Sequence, residues 1–144
     1  MIDFKPTDKT DAVSQLGSFL ASVNGIPDPD MVVRGALERE SVTSTGIGFG
    51  VAIPHTKIAG IDRECMVAAR CVEGVEFDAI DGEPVHLFFM LLYPSARYNE
   101  HLDLLKRLSM ILQYEESRDM LMEATDAKDF MSALVEAEDR YVGT

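Results

Sequence analysis

The chain has 144 residues, enough for one domain whose core needs no disulfide or metal to hold it. With 47% hydrophobic and 26% charged residues it is globular in composition, which excludes an intrinsically disordered chain. A formal net charge of −12 argues against non-specific nucleic-acid binding and against adhesion to an anionic membrane, and it fits either a basic protein partner or solubility alone.

In chain order, Thr10 or Asp11 opens a first helix, with Val13, Leu16, Phe19, Leu20 and Val23 on one face and Asn24-Gly25 then Pro27 as the stop. Asp28 caps a second helix that has Pro29 at its first position and Val33, Ala36 and Leu37 as its buried stripe. This helix runs out near Glu40, which leaves Arg39 in the last turn. Residues 44–50 form a glycine-rich loop; Val51, Ala52 and Ile53 follow as a short strand, and Pro54 ends it. Residues 64–72 and 85–93 are apolar on both alternating faces, the texture of strands covered on both sides, with Asp81-Gly82 turning into the second and Pro94 closing it.

The rest is helical. Ser95 or Asn99 caps a helix carrying Leu105, Leu108 and Leu112; residues 117–124 form a short helix; Asp126 caps a last one with Phe130, Ala133, Leu134 and Ala137 inward. Helices on either side of a set of buried strands predict an α/β fold, a three-layer α/β/α sandwich, as a single domain over 1–144. No basic-then-apolar leader opens the chain, and the longest strongly apolar run, residues 87–92, is too short to span a bilayer, so no membrane insertion and a cytoplasmic location are expected. On one extended strand Cys65 and Cys71 would stand about 20 Å apart, far outside disulfide reach, and they read as buried thiols.

Three histidines differ in setting. His55 follows Pro54 at a strand end, directly after the glycine loop, where sites in α/β proteins gather; a turn histidine with no task is the alternative. His101 shares the apolar face of its helix with Leu105, Leu108 and Leu112, so its ring is expected to be desolvated, as a core histidine or as a site residue. His86 lies inside a strand and is given no role. Arg39 is either a solvated last-turn cation or an anion partner, its guanidinium forming a fork suited to phosphate oxygens.

Several chemistries drop out. Gly46, Gly48 and Gly50 resemble a dinucleotide fingerprint, but the third glycine comes one position early and a strand follows where a helix is needed. No Gly-Lys-Ser/Thr, no His-Glu-x-x-His, no close cysteine pair and no hydrolase elbow occurs. Neither cofactor nor metal is expected.

Taken together, Leu37-Glu38-Arg39-Glu40 and the run from Ser44-Thr45-Gly46 to Ile53-Pro54-His55 resemble the phosphorylation-site motif of the fructose/mannitol-type (type 2) IIA domains of the bacterial sugar phosphotransferase system, a family that includes the nitrogen-regulatory IIA proteins. The likeness continues through Phe77-Asp78-Ala79-Ile80-Asp81-Gly82 and through Glu100-His101-Leu102, in the family's order, over nearly the whole chain. Phe49 departs from it, since a polar residue such as Asn is frequent there. The resemblance implies a mixed central sheet, with His55 as the phosphoryl acceptor and Arg39 and His101 beside it. It implies an HPr-type donor, or its nitrogen-branch counterpart, and in the sugar branch a IIB domain as recipient. Backbone donors of the loop, at Thr45, Gly46 and Gly48, are candidate supports for the phosphate.

Three functions compete: a free-standing nitrogen-regulatory phosphocarrier, favoured because no fused IIB, HPr or membrane part is visible; a sugar-branch IIA passing phosphoryl to a IIB domain; and a binding module that has lost phosphorylation. The third fits poorly with Arg39, His55 and His101 all present.

Overall fold

The computed structural model describes residues 4–143, so both ends of the expected 1–144 domain lie outside it. The chain divides into two compact units, the first ending at Tyr98 and the second beginning at Asn99. The architecture is α/β, as expected from the order of elements, and its sheet is mixed, as the family resemblance implies.

In the first unit, α1 (Lys9–Val23) is capped by Asp8, whose carboxylate accepts from the Asp11 N–H at 2.8 Å, while Asp11 accepts from the Thr7 N–H at 2.8 Å. Asp11, expected to start the helix, is thus the reciprocal partner of the cap in the first turn. α2 (Pro29–Val42) is capped by Asp28 as expected and continues two residues beyond Glu40.

The strands are β1 (Gly46–Gly48), β2 (Val51–Ala52), β3 (His55–Lys57), β4 (Cys65–Val75) and β5 (Val85–Tyr93). β5 is the spine: β4 pairs antiparallel along one edge, and β2 and β3 pair parallel along the other. β1 pairs antiparallel with β2, so part of the expected glycine loop is a strand. β4 runs past the expected end at Val72 because a bulge between Arg70 and Val75 restores pairing at Val75–Val85. His86 closes that bulge, its Nδ1–H donating to the Cys71 and Val72 carbonyls at 3.0 and 3.1 Å, a structural task consistent with assigning it no chemistry.

α1 and α2 cover one sheet face. Phe88, Met90 and Leu92 of β5, Ala69 and Cys71 of β4, and Leu16, Leu20 and Val32 of the helices are all buried there. Phe88 takes Phe4 and Phe77 edge-on at 5.4 and 5.5 Å, each such contact adding about 0.5–1.5 kcal/mol beyond area burial.

The second unit holds α3 (Tyr98–Leu112), which follows a 3-10 turn at Ser95–Arg97, then α4 (Glu115–Glu123) and α5 (Ala127–Tyr141). Arg107 of α3 pairs with Glu138 of α5, Arg140 pairs with Glu116, and Tyr114 stacks on Tyr141 at 3.9 Å. Asp126 caps α5 through the Asp129 N–H at 2.7 Å, as expected. No described helix is long and apolar enough to cross a membrane.

Gly46 is required for a close approach. A Cβ there would lie 2.8 Å from the Ala79 Cα, while the Gly46 carbonyl accepts the Ile80 N–H at 3.0 Å. Gly46→Ala should therefore push β1 off the 77–80 segment and cost about 1–3 kcal/mol in urea unfolding; a loss below a few tenths would mean that the contact relaxes freely.

Candidate functional site

His55 stands where a strand is interrupted. Val51 lies opposite Leu87 and His55 opposite Leu91, so β2 and β3 keep one register against β5 across the gap at Ile53-Pro54. Proline has no N–H to give the ladder, yet its carbonyl still accepts the Leu91 N–H at 2.9 Å. In-register neighbours share a face, so Thr56, opposite Leu92, points toward α2; a Cβ on Gly35 would meet its Oγ1 at 3.3 Å. His55, one residue earlier, projects from the opposite face and is half-buried. Its Nδ1 lies 2.8 Å from the Ile53 carbonyl. A carbonyl only accepts, so the neutral ring carries its proton on Nδ1 and its basic lone pair on Nε2.

Arg39 sits one turn beyond Gly35 on α2 and is half-exposed. One Nη1 donor closes the helix end by bonding the Thr43 carbonyl at 3.1 Å, and the remaining four donors of the fork are not used by that bond. His101 lies in the first turn of α3 in the second unit and is 1% exposed, the burial its helical spacing predicts.

The glycine segment is tied to protein acceptors. Thr45 gives both its N–H and its hydroxyl to the two carboxylate oxygens of Glu40, at 2.8 and 2.7 Å. The Gly46 N–H goes to the Ser44 hydroxyl at 3.1 Å, and the Phe49 N–H to Asp81 at 3.1 Å. Gly48 has φ of 95°, a conformation that favours glycine for backbone reasons alone. As the structure stands, the donors of Thr45 and Gly46 hold the segment in place rather than pointing at a ligand.

Sequence reasoning missed Glu40 and Ile53. Glu40 is 6% exposed, with the Lys9 ammonium 3.3 Å away, and Ile53 supplies the carbonyl that orients the imidazole. A signal for Glu40 was present: a carboxylate in the last turn of a helix faces the negative end of the dipole and so needs another reason to be there. The thiols of β4 are free, and burial pushes the Cys65 thiol up, away from thiolate chemistry.

The chain belongs to the family described as phosphoenolpyruvate-dependent sugar phosphotransferase system, EIIA 2, whose model matches residues 1–137. It is 36% identical over 131 residues to the fructose-specific EIIA component of Haloferax volcanii, covering 91% of this chain and 85% of that one. It is 35% identical over 111 residues to a nitrogen regulatory protein of Pseudomonas aeruginosa, covering 77% and 72%. The crystal structure of nitrogen regulatory protein IIA-Ntr from Neisseria meningitidis superposes with a TM-score of 0.87 at 33% identity, covering 92% of this chain and 90% of that one.

Phe49, the departure from the family pattern, has φ of 61° and is 59% exposed. A bulky residue in the left-handed region is strained, and little buried area offsets the strain. Phe49→Asn should stabilise the fold by about 0.5–1 kcal/mol, since Asn tolerates this conformation; an unchanged or lower urea midpoint would show that the aromatic ring holds contacts worth more than the strain.

Proposed function

We propose that the chain is a cytoplasmic phosphohistidine carrier acting as one functional domain, with Nε2 of His55 as the acceptor atom. The observation that carries the reading is the 2.8 Å bond from the His55 Nδ1–H to the Ile53 carbonyl, in a chain of this family. The Nε2 lone pair attacks the phosphorus of a phosphohistidine on an HPr-type donor protein. The new N–P bond forms as the donor's N–P bond breaks, and the donor imidazole leaves with that electron pair. The proton stays on His55 Nδ1, hydrogen-bonded to the Ile53 carbonyl throughout, so no general base is required.

The bound phosphoryl brings nearly two negative charges to a protein already at −12. Arg39 supplies the offset: it can keep its bond to Thr43 and direct its other donors at the phosphoryl oxygens. Lys57, exposed and two residues along the same strand face as His55, adds an ammonium. His101 is proposed, from the sequence resemblance alone, as the counterpart of the family's second histidine.

For the next step, the likeness to IIA-Ntr supports a regulatory reading, in which the phosphorylation state of His55 controls binding to target proteins. The fructose-specific relative supports passage to a IIB domain instead.

His55→Ala should take no label from phosphorylated HPr or its nitrogen-branch counterpart while keeping its circular dichroism spectrum; persistent labelling would refute the assignment. Arg39→Ala should slow transfer roughly tenfold or more, as expected from losing one or two charge-assisted hydrogen bonds, with Arg39→Lys intermediate; wild-type kinetics in both would remove Arg39 from the site. Reconstitution with fructose- and mannitol-type IIB domains separates the branches, since brisk sugar phosphorylation would exclude a purely regulatory role.

A further inference from the structure

A continuous set of hydrogen bonds runs from a buried carboxylate to the imidazole. Lys9 lies 3.3 Å from Glu40; Glu40 holds Thr45 at both its N–H and its hydroxyl; the Thr45 carbonyl accepts the Ile53 N–H at 3.0 Å; and the Ile53 carbonyl accepts from His55 Nδ1. We propose that Glu40 is a positioning residue for phosphoryl acceptance, acting through Thr45 and Ile53 to set the tautomer and the aim of the His55 ring. This rests on His55 being the acceptor.

Each link has little freedom. Two bonds to one carboxylate fix the orientation of Thr45, which a single bond would leave free to pivot. Ile53 is held on its N–H side by Thr45, and on its carbonyl side it precedes a proline, which confines its backbone to extended conformations. The Pro54 carbonyl is anchored in turn by the Leu91 N–H. The Ile53 carbonyl therefore cannot turn from the imidazole unless Thr45 moves. Glu40 is 6% exposed and its charge is met by Lys9, which also lies 5.0 Å over the Phe77 ring, so it is built into the protein interior rather than toward an incoming phosphoryl group.

The consequence is chemical. A neutral histidine side chain in water favours the proton on Nε2, the form that cannot attack through that atom. Loosening the Ile53 carbonyl lets the ring relax toward it, and the transfer rate falls with the competent fraction.

Nitrogen-15 NMR of ring-labelled histidine in the full chain reads the tautomer with no donor protein present. The wild-type His55 ring is expected in the Nδ1–H form. In Glu40→Gln, whose amide keeps at most one of the two accepted bonds, and in Thr45→Val, which loses the hydroxyl bond, the Nε2–H form should become substantial. Phosphoryl acceptance from phosphorylated HPr should then fall roughly three- to tenfold, and Thr45→Ser should restore both readings. A wild-type ring spectrum in folded Glu40→Gln or Thr45→Val overturns the proposal, as does a Thr45→Ser variant that behaves like Thr45→Val. If Glu40→Gln does not fold, the Thr45 pair makes the same decision. A chain that takes no phosphoryl in any form, yet whose ring spectrum responds to Glu40, would sink the carrier reading and with it the role in acceptance, leaving only the control of the ring tautomer by Glu40.

Discussion

Much of this molecule depends on a proline where a strand would otherwise continue. β2 and β3 share a register against β5, so without Pro54 they could run on as one edge strand against it. Pro54 removes one donor from that edge while its carbonyl still accepts the Leu91 N–H, and the Ile53 carbonyl beside it accepts from the ring of His55. A local defect in pairing thereby becomes a fixed tautomer, and the rest of the first unit keeps the defect from healing.

Much of the fold was legible because its signals are periodic. β5 reads as apolar on both faces, α5 shows its cap and stripe, and the Asp28-Pro29 start of α2 stands where the sequence puts it. The parts that were not legible share a cause, which is that partners distant in sequence decide them. Three residues of glycine-rich chain become β1 because β2 and the 77–80 segment are there to bond them. β4 outruns its apolar pattern because His86, on another strand, closes its bulge.

The candidate residues divide in the same way. His55, Arg39 and His101 are singled out from residue type and order through the family resemblance, and their part in phosphoryl transfer is a proposal. The part played by Thr45 is not legible that way. Its place in the motif invites a phosphate contact, whereas both of its donors go to a carboxylate five residues earlier. Pattern tells which residues occur together, and only geometry tells which way a donor points.

On the proposed reading, a carboxylate is an odd choice for holding the frame of a site that accepts phosphoryl, and the choice makes sense only with its counter-ion. An unpaired buried charge in the same part of the protein would oppose an arriving phosphoryl group, since like charges repel more strongly at the reduced dielectric of the interior than in water. Lys9, 3.3 Å from Glu40 and 3.6 Å from the exposed Asp78, offsets much of the buried charge, so Glu40 can grip Thr45 with two charge-assisted bonds at reduced repulsion. A neutral Gln would avoid the repulsion outright, but it offers one acceptor oxygen where Thr45 presents two donors. On the proposed reading, stiffness at the acceptor and tolerance of the arriving charge both draw on the ion pair, and Lys9 on α1 links the first helix of the chain to His55 on β3, its fifth structural element.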